Sequence, residues 1–250
     1  GAPVALHTRF DPEAVIAEHG VEFTSVVPTM LGRLVETGAD LSSFRAILVG
    51  GAHLTPDLRT RAERAGANVV ETYGLTETCG GVVYEGFPLP VTEMRIDADG
   101  GIQLRGPTLM QGYRFDEAGS AAAFTDGGWL RPGDAGEIDR DGRLHVVGRI
   151  DDLINTGGER VWPDQVEAAL RDHPGVRDVA AGGRLDREWG QHVAVWVVPA
   201  DPADPPSLEE LRAFAARTLP RYAAPRELTL ADRLPRTLSG KLRRAALPRD

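Results

Sequence analysis

The sequence predicts an α/β fold with three parts: a parallel βαβ portion, a small antiparallel β-barrel-like subdomain, and a separate small α+β domain at the C-terminal end. Three observations support this prediction. Strand and helix patterns alternate through the first third of the chain, and Asp-Gly pairs between β-rich arms follow from about residue 92. A new set of strand and helix patterns begins after residue 150. We therefore place the domain boundaries at residues 1–92, 93–150 and 151–250.

The first third is predicted to alternate between helices and parallel strands. The stretch PEAVIAEHG predicts a helix, with Pro12 at its first position and Gly20 past its end. The strand VEFTSVV, the helix TMLGRLVETG, the strand FRAILVG, a helix opened by Thr55 and Pro56, and the strand NVVETYG then follow. In open α/β sheets a ligand lies beyond the carboxyl ends of the strands. The loops GGAHL and YGLTETCGG, which come directly after strands, are therefore the first candidates for a site.

Hairpins and a helical domain are predicted for the rest of the chain. TEMRIDADGGIQLRG and GEIDRDGRLHVVGR both place Asp-Gly between β-rich arms, which is a hairpin signal. A helix is predicted from Pro163 to about Arg171, with Asp164 in its first turn, where an acidic side chain suits the helix dipole. The strands VRDVAAGG and QHVAVWVVP follow. In SLEE, Ser207 is the expected N-cap and Glu210 its capping-box partner.

Composition excludes several classes of function. The net charge of −9 argues against nonspecific binding to nucleic acid or anionic membranes. Cys79 is the only cysteine, so an internal disulfide and a cysteine-cluster metal site are excluded, and the six histidines form no HxxxH or HExxH pair. We find no spanning apolar run and no export signal, which predicts a cytoplasmic protein. The first residue is not Met, which we interpret as a chain that begins inside something longer.

The stretch LPRTLSGKLRR contains Lys241, the only lysine, while every other basic residue is an arginine. Arginine is a planar, weakly hydrated fork, whereas lysine is a compact charge on a flexible stem. Codon bias is one explanation of the single lysine. The other is a site that needs one concentrated positive charge at one cluster of oxygens. Both remain open on this residue alone.

Four stretches in a fixed order, YGLTETCGG, WLRPGDAGEI, GRIDDLINTGGERVWPDQVE and LPRTLSGKLRR, together resemble the adenylate-forming superfamily of AMP-binding enzymes. That superfamily includes acyl- and aryl-CoA ligases, the adenylation domains of peptide synthetases, and luciferase. The resemblance covers essentially the whole chain. It implies that a carboxylate attacks the α-phosphate of ATP to give an acyl-adenylate, after which a thiol, usually that of CoA, displaces AMP. The implied cofactors are ATP/AMP, Mg²⁺ and CoA.

The resemblance assigns roles to the residues around YGLTE. Mg²⁺ prefers phosphates plus one or two carboxylates, which suits Glu77, and the hydroxyl of Thr76 can donate to the α-phosphate. Tyr73 would offer its ring face to the adenine, and Glu71 would meet the adenine edge. Taken alone, Glu77 would be interpreted as a solvated loop carboxylate. The implied nucleotide-binding residues of this stretch are Glu71, Thr72, Tyr73 and Gly74.

The loop GGAH is implied to close over the adenine and the acyl group. Gly51 and Ala52 are small, which allows the main chain to approach a ligand closely, although an ordinary strand-to-helix turn would look the same. The implied residues of the substrate pocket are His53, Cys79 and Gly80. We see no base or cation close to Cys79 in sequence that would lower its thiol pKa, so we expect a pocket-wall residue rather than a nucleophile.

Asp134 in RPGD matches the acid that accepts the ribose hydroxyls, because one carboxylate can accept both at once. The family usually has Thr where this chain has Pro132, which puts the local loop conformation in doubt. Arg149 in GRIDD is implied to reach the nucleotide. Asp151 matches the hinge about which the C-terminal domain of the family rotates. A surface salt bridge is the alternative interpretation of Arg149 and Asp151.

Three further roles follow from the resemblance. Arg160 matches a residue that contacts the phosphates of the adenylate or of CoA, and Gly157 and Gly158 would line a CoA channel. Lys241 matches the lysine that holds the carboxylate and α-phosphate oxygens together during adenylation and leaves before thioester formation. A flexible stem with a point charge suits a contact that is made and broken in every turnover.

The stretch TETCGGVVYEGFPLPVTEMRI is shorter than in most of the family and is similar to the o-succinylbenzoate–CoA ligases of menaquinone synthesis. Alternatives are another aryl- or acyl-CoA ligase, a stand-alone adenylation enzyme, or a noncatalytic nucleotide-binding relative. The family's Ser/Thr/Gly-rich phosphate loop, with its own lysine, is not found in these residues. We therefore expect the C-terminal half of such an enzyme, inactive alone, whose N-terminal half is on the same or a separate chain.

Overall fold

The computed structural model describes residues 4–237 and 240–248. These residues form two compact units, each with its own core. The N-terminal unit comprises Gly1–Arg95, Gln103–Pro132 and Ile138–His145, and the C-terminal unit comprises Ile96–Ile102, Gly133–Glu137 and Val146–Asp250. The division into domains at 1–92, 93–150 and 151–250 stays a prediction.

The described residues contain short helices and strands. The helices are α1 (Pro12–Ala17), α2 (Pro28–Glu36), α3 (Pro56–Arg64), α4 (Glu117–Ala123), α5 (Pro163–Arg171) and α6 (Leu208–Ala215). The strands are β1 (Phe23–Val26), β2 (Ala46–Gly50), β3 (Val69–Leu75), β4 (Gly80–Tyr84), β5 (Phe87–Pro88), β6 (Glu93–Ile96), β7 (Ile102–Arg105), β8 (Asp134–Ile138), β9 (Leu144–Arg149), β10 (Ile154–Thr156), β11 (Glu159–Val161), β12 (Val176–Asp186), β13 (Gly190–Pro199) and β14 (Glu227–Leu230). Within this described part, none of the helices is long and apolar enough to cross a bilayer.

A five-stranded sheet, in the order β1-β2-β3-β4-β5, forms the centre of the N-terminal unit. The first three strands are parallel, and β4 and β5 return antiparallel. Leu31 and Leu34 of α2 are fully buried in one core with Ile47 and Val49 of β2. The predicted parallel βαβαβ portion is therefore confirmed.

Local sequence signals set where the helices of this unit begin. The hydroxyl of Thr55 accepts a hydrogen bond from the Leu58 amide at 3.3 Å, and Pro56 occupies the first turn of α3. Asp11 caps α1 in the same way, accepting from the Ala14 amide at 3.1 Å. The first helix ends at Ala17, earlier than its sequence pattern indicated.

The predicted hairpins are present, but they do not close into a barrel. Strand β6 pairs with β7 and β8 with β9, in two separate two-stranded sheets, and no closed barrel forms among the residues that the structure describes. The Asp-Gly signals do lie between the paired strands, but closure of a barrel requires every strand to have two neighbours. These strands of four to six residues do not meet that condition. Helix α4, capped by Asp116, was missed because Gly119 weakens its pattern.

The C-terminal unit is an α+β structure, as predicted for its last hundred residues. Its sheet has the order β11-β10-β13-β12, with β14 parallel to β13. Val195 of β13 faces a core shared with α5 and α6, whereas its neighbour Trp196 faces a second core with Leu234 and Leu247. The predicted bounds of α5 are confirmed. So is the capping box of α6, in which the Ser207 hydroxyl accepts from the backbone of Glu210.

A largely buried ionic group, the Arg244 cluster, lies beside α5. Arg244 Nη2 is 2.9 Å from Asp164 Oδ1 and 2.8 Å from Glu167 Oε1, and its Nη1 is 3.7 Å from Asp152 Oδ2. Glu167 Oε1 also accepts a hydrogen bond from the Ala181 amide at 2.9 Å. Burial raises the pKa of the Glu167 carboxyl to about 7, and it also raises the pKa of Asp152.

We expect Glu167→Gln to change how stability depends on pH. Because its pKa is raised in the folded protein, Glu167 contributes stability that is present below pH 4.5 and is lost as the pH rises through about 7. That loss is on the order of 3 kcal/mol. The groups whose charges act on Glu167 are Arg244, Asp164 and Arg171, and all are retained in the variant.

Thermal unfolding of both proteins at pH 5 and pH 8 measures this effect. The variant should differ less from the native protein at pH 5, where the folded carboxyl is protonated like an amide, and should be clearly the more stable one at pH 8. A stability difference that is the same at both pH values would contradict the raised pKa of Glu167.

Candidate functional site

Two of the predicted loops leave neighbouring parallel strands, β2 and β3, at their carboxyl ends. Gly50 pairs in register with Thr72, and a Cβ at Gly50 would overlap the hydroxyl and carbonyl of Thr72. Gly51 has a φ of 79°, which favours glycine. Ala52 and His53 follow, exposed. The close approach of the two strands therefore explains glycine at position 50, and the left-handed backbone explains glycine at position 51.

Glu71 lies on β3 beside an arginine that is shared among carboxylates. Arg59 Nη1 is 3.8 Å from Glu71 Oε2, whereas its Nη2 is 2.9 Å from both carboxylate oxygens of Glu85 and its Nε is 3.0 Å from Glu63. Burial raises the pKa of Glu71, and the nearby charges of His53 and Arg59 oppose that shift. Arg59 is thus engaged mainly with Glu85, and Glu71 is only loosely paired.

Glu85 holds the backbone of Glu71 from the next hairpin. It forms the two-residue turn between β4 and β5 with Gly86, and the φ values of 51° and 81° are both left-handed, as this tight hairpin turn requires. The Glu85 amide donates to the Glu71 carbonyl at 2.8 Å, and the Glu85 carboxylate accepts from the Glu71 amide. With Arg59 it therefore fixes the position of β3 at Glu71.

Tyr73 and Gly74 lie where β3 pairs with β4. Tyr73 is opposite Val83 and Gly74 is opposite Gly81, with a register shift between the two pairs. A Cβ at Gly74 would overlap the carbonyl of Gly80 on β4. Glycine at position 74 therefore permits the backbone contact that closes the following turn.

A buried threonine organises the turn after β3. Thr76–Thr78 is a 3-10 helix, and the hydroxyl of Thr78 accepts from the Leu75 amide at 2.9 Å and donates to the Gly80 carbonyl at 2.6 Å. Cys79 is exposed and has a φ of 61°, an uncommon conformation for a residue other than glycine. Thr78 makes the side-chain hydrogen bonds inside this turn, and the side chains of Thr76 and Glu77 take no part in them.

Glu77 is held by a second segment of the N-terminal unit. The Tyr113 hydroxyl donates to Glu77 Oε1 at 2.8 Å, and the Met110 amide donates to the Glu77 carbonyl at 2.7 Å. The Tyr113 amide in turn donates to Ser120 Oγ at 2.7 Å. Across the part of the chain that the structure describes, no side chain hydrogen-bonds or ion-pairs with Glu77 Oε2. One oxygen of the carboxylate is thus oriented by Tyr113, and the other is available.

Three predicted residues of the C-terminal unit lie in one chain of ion pairs. Arg149 Nη1 is 3.1 Å from Asp134 Oδ1, and its Nη2 is 3.7 Å from Asp151 Oδ2. The Ile150 amide donates to the Gly133 carbonyl at 2.9 Å, and a Cβ at Gly133, whose φ is 77°, would press against the guanidinium group. The Asp134 side chain is only 15% exposed, against 84% for Asp151. Asp134 is therefore the more buried of the two acids.

The predicted CoA turn lies between β10 and β11. Gly157 and Gly158 have φ values of 60° and 88°, and a Cβ at Gly157 would overlap the ring of Trp189. The Gly157 amide donates to the Trp189 carbonyl at 2.9 Å. Arg160 is exposed on β11, opposite Asn155. Packing against Trp189 is therefore enough to explain glycine at position 157, whether or not the turn also binds a ligand.

Lys241 is exposed in a tight turn near the end of the chain. The Thr237 amide donates to the Lys241 carbonyl at 2.8 Å, and the Lys241 amide donates to Thr237 Oγ1 at 3.1 Å. Leu238 and Ser239, which belong to the same predicted motif, lie outside the described residues. No carboxylate among those described forms an ion pair with Lys241, so its charge is not neutralised by a fixed partner there.

The predicted residues therefore form separate groups. In the N-terminal unit, those of the GGAH loop and of YGLTETCG lie at the ends of adjacent strands. In the C-terminal unit, the ion-paired set, the glycine turn with its arginine, and the lysine turn are three distinct places. Sequence reasoning missed five residues that hold these groups: Arg59, Thr78, Glu85, Tyr113 and Trp189. Only Tyr113, an aromatic residue within the polar run QGYRFDE, carried a visible signal.

Two models of one family match most of the chain. The family model described as AMP-binding enzyme matches residues 1–114, and the model of the AMP-binding enzyme C-terminal domain matches residues 165–241. A Mycobacterium tuberculosis (strain CDC 1551 / Oshkosh) protein named "Probable 2-succinylbenzoate–CoA ligase" is 43% identical over 235 residues, which are 92% of this chain and 61% of that protein.

Two solved structures of o-succinylbenzoate CoA synthetase from Bacillus subtilis, each 33% identical, are also similar. The complex with the acyl-adenylate intermediate has a TM-score of 0.89 and covers 98% of this chain. The complex with ATP and magnesium has a TM-score of 0.87 and covers 96%. This chain covers 55% of the chain in each of those structures, so it spans between half and two thirds of the relatives it matches. With two models of one family matching most of its residues, the chain belongs to the AMP-binding enzyme family, as its four motifs predicted.

Proposed function

We propose that this chain is part of an ATP-dependent carboxylate–CoA ligase, which adenylates its acid and then forms a thioester with CoA. One observation carries the proposal. Glu77 presents a carboxylate oxygen without a partner among the described residues, directly after β3 and beside the hydroxyl-bearing Thr76. Such a group is what the α-phosphate chemistry of the family requires at the carboxyl end of a strand. The remainder of the enzyme, on the same or a separate chain, would be the partner of these residues.

Glu77 fits a magnesium site that is completed by the substrate. No group of three or more metal-binding side chains occurs in the described part of the chain, so a cage made only of protein is not the kind of site expected. Mg²⁺ commonly binds one or two carboxylates together with phosphate oxygens and water. When bound, the ion supplies positive charge that offsets the phosphate charge. Glu77 would hold it through Oε2, while Tyr113 keeps the carboxylate oriented.

The other residues would bind and orient the nucleotide. Tyr73 would lie against the adenine ring and Glu71 would meet its edge, because both are on β3 next to the glycine loop. The Thr76 hydroxyl would donate to the α-phosphate. Asp134 would accept the ribose hydroxyls, with Arg149 holding its carboxylate and reaching the nucleotide. Of these residues only Thr76 would supply a fixed donor at the phosphorus atom, which is the main kind of contribution a protein makes to phosphoryl chemistry, and the others would bind the nucleoside.

Lys241 would act in the first half-reaction only. Its ammonium group would donate to the attacking carboxylate and to the α-phosphate oxygens as charge gathers between them. The second half-reaction would use the turn at Gly157 and Gly158 for CoA and Arg160 for phosphate, with Asp151 as the hinge between the two steps. Each of these roles is a proposal that follows from the match of this chain to its family.

We propose o-succinylbenzoate as the acid and menaquinone synthesis as its place. The support is the 43% identity to the Mycobacterium tuberculosis protein and the acyl-adenylate bound in the Bacillus subtilis structure. Another aryl or acyl acid is the alternative. A cytoplasmic location remains a prediction of the sequence.

Pyrophosphate release by the full-length protein tests this function. ATP, Mg²⁺ and o-succinylbenzoate without CoA should release pyrophosphate, and the addition of CoA should then release AMP. Release with another aryl acid, but not with o-succinylbenzoate, would reassign the substrate. A protein that binds ATP yet releases no pyrophosphate with any carboxylate would be a noncatalytic relative, and the proposal would fail.

We expect Tyr113→Phe to weaken the use of magnesium. The variant keeps the ring but loses the hydrogen bond to Glu77, and a bond to a charged group is worth about 1.5–3 kcal/mol. The Mg²⁺ concentration for half-maximal pyrophosphate release should rise about tenfold. Tyr222→Phe, at another partly exposed tyrosine, is the matched control. An unchanged Mg²⁺ dependence in Tyr113→Phe would show that this hydrogen bond does not orient Glu77 in the working enzyme.

A further inference from the structure

The turn that carries Lys241 is anchored on both sides by arginines. The backbone bridge between Arg236 and Leu242 closes the turn, and Arg236 Nη2 is 2.8 Å from both carboxylate oxygens of Asp178 on β12. On the other side, Arg244 lies three residues after Lys241, within the Arg244 cluster. An exposed lysine is therefore held between two fixed cations whose partners belong to the sheet and to α5.

The Arg244 anchor is the more extensive of the two. Its guanidinium reaches Asp164 and Glu167, one turn apart on α5, and approaches Asp152 in the 3-10 helix Ile150–Asp152. Its side chain is 18% exposed, against 36% for Arg236. A planar fork that binds separate carboxylates at once fixes both the position and the direction of the backbone that carries it.

The Arg244 cluster also connects two segments of the chain to which the proposed function assigns roles. Asp152 directly follows Asp151, the proposed hinge, and Arg244 closely follows Lys241. Leu247, beyond the arginine, is buried against Trp196 in the second core of the unit. The segment after Lys241 is thus tied to the helix, to the residue beside the hinge and to the sheet.

Arg243 shows that a basic residue alone does not make this anchor. It immediately precedes Arg244, yet its side chain is exposed and forms no ion pair with the described residues. The chain therefore offers two adjacent arginines, one engaged with carboxylates and one free of them. Replacing either arginine by glutamine changes the composition and the net charge by the same amount. Arg243→Gln is therefore a matched control for Arg244→Gln.

We propose that Arg244 is a positioning residue for Lys241. It acts through the Arg244 cluster, which holds the turn at Lys241 in one orientation relative to α5 and to the 3-10 helix Ile150–Asp152. This inference rests on the proposed function, in which Lys241 serves adenylation. Because a misplacement of about 1 Å can cost on the order of 10²-fold in rate, loosening the anchor reduces the first half-reaction without removing any group that touches substrate.

Arg244→Gln, Arg244→Lys and Arg243→Gln in the full-length protein test the proposal. In Arg244→Gln, pyrophosphate release should fall on the order of tenfold to 10²-fold in kcat, with the KM for ATP nearly unchanged. Thiolysis of preformed acyl-adenylate by CoA should change less than about threefold, because Lys241 does not serve it. Arg244→Lys should restore part of the rate, since it keeps the charge without the fork. Arg243→Gln should behave as the native protein.

Amide hydrogen exchange of Thr237 and of residues 240–242 gives a readout that does not depend on catalysis. Arg244→Gln should raise exchange in this turn, while Arg243→Gln should not. Equal exchange in the two variants, or equal loss of both half-reactions in Arg244→Gln, would overturn the positioning role. If the native protein releases no pyrophosphate, the proposed function fails separately, and exchange still decides whether Arg244 holds the turn.

Discussion

Lys241→Ala is expected to reduce adenylation by on the order of 10²–10³-fold, the loss typical of removing one donor that stabilises developing charge. The lysine is exposed and has no ion-pair partner among the described residues, so its removal should leave the fold intact. Thioester formation from preformed acyl-adenylate and CoA should be largely retained. The measurement is pyrophosphate release without CoA, set beside AMP release from the preformed adenylate.

Lys241→Arg is the informative control for this prediction. It keeps the charge but replaces a compact ammonium on a flexible stem by a wider planar fork. We expect most of the adenylation rate to remain lost, because the fork cannot place its charge between the same two oxygens. A Lys241→Arg enzyme near native rate would mean that the single lysine reflects codon bias rather than chemistry. Lys241→Ala within about threefold of the native rate would remove Lys241 from the proposed mechanism altogether.

The helices other than α4 and the strands β1 to β3 could be predicted because their signals are local. Thr55 before Pro56, and Ser207 three residues before Glu210, mark helix starts by chemistry that acts within one turn. The apolar runs of β1, β2 and β3 lie on either side of such helices. Strands that alternate with helices favour a parallel sheet, because each helix can return the chain to the same end of the sheet.

The barrel could not be judged from sequence because closure depends on distant pairing. Asp-Gly turns specify which two strands form a hairpin, but not whether one hairpin pairs with the next. Strands β4 and β5 were missed for a related reason. Their turn is Glu85-Gly86, and a glutamate in the left-handed region is an uncommon choice that the carboxylate's contacts with Arg59 and Glu71 explain.

The candidate site shows the same division between local and distant information. The resemblance of the motifs to a known family predicts that Glu77 meets the metal and Asp134 the ribose, and both roles stay predictions. The contact between Tyr113 and Glu77 joins residues 36 apart in sequence, and that between Arg59 and Glu85 joins residues 26 apart. A single sequence does not encode such pairs in any visible pattern. Residues that hold a site are therefore harder to predict than those that would touch a ligand.

Glu77→Gln is expected to lower adenylation by on the order of 10²-fold or more, because a metal that offsets phosphate charge contributes several kcal/mol. The substitution is well matched, since the amide oxygen of glutamine can still accept the hydrogen bond of Tyr113. The second oxygen is replaced by an amide nitrogen, which donates hydrogen bonds and does not bind a metal ion. The folded structure of the turn, held by Thr78, should persist.

The Mg²⁺ dependence separates this role from a purely structural one. If Glu77 holds the ion, the variant should need at least about tenfold more Mg²⁺ for half-maximal pyrophosphate release, and high Mg²⁺ should restore part of the rate. Glu117→Gln, an exposed acid at the start of α4 in the same unit, should leave both quantities unchanged. A Glu77→Gln enzyme with reduced rate but native Mg²⁺ dependence would place the carboxylate near the phosphates without metal contact. A native rate would mean that Glu77 is a solvated loop carboxylate, as its sequence alone indicates.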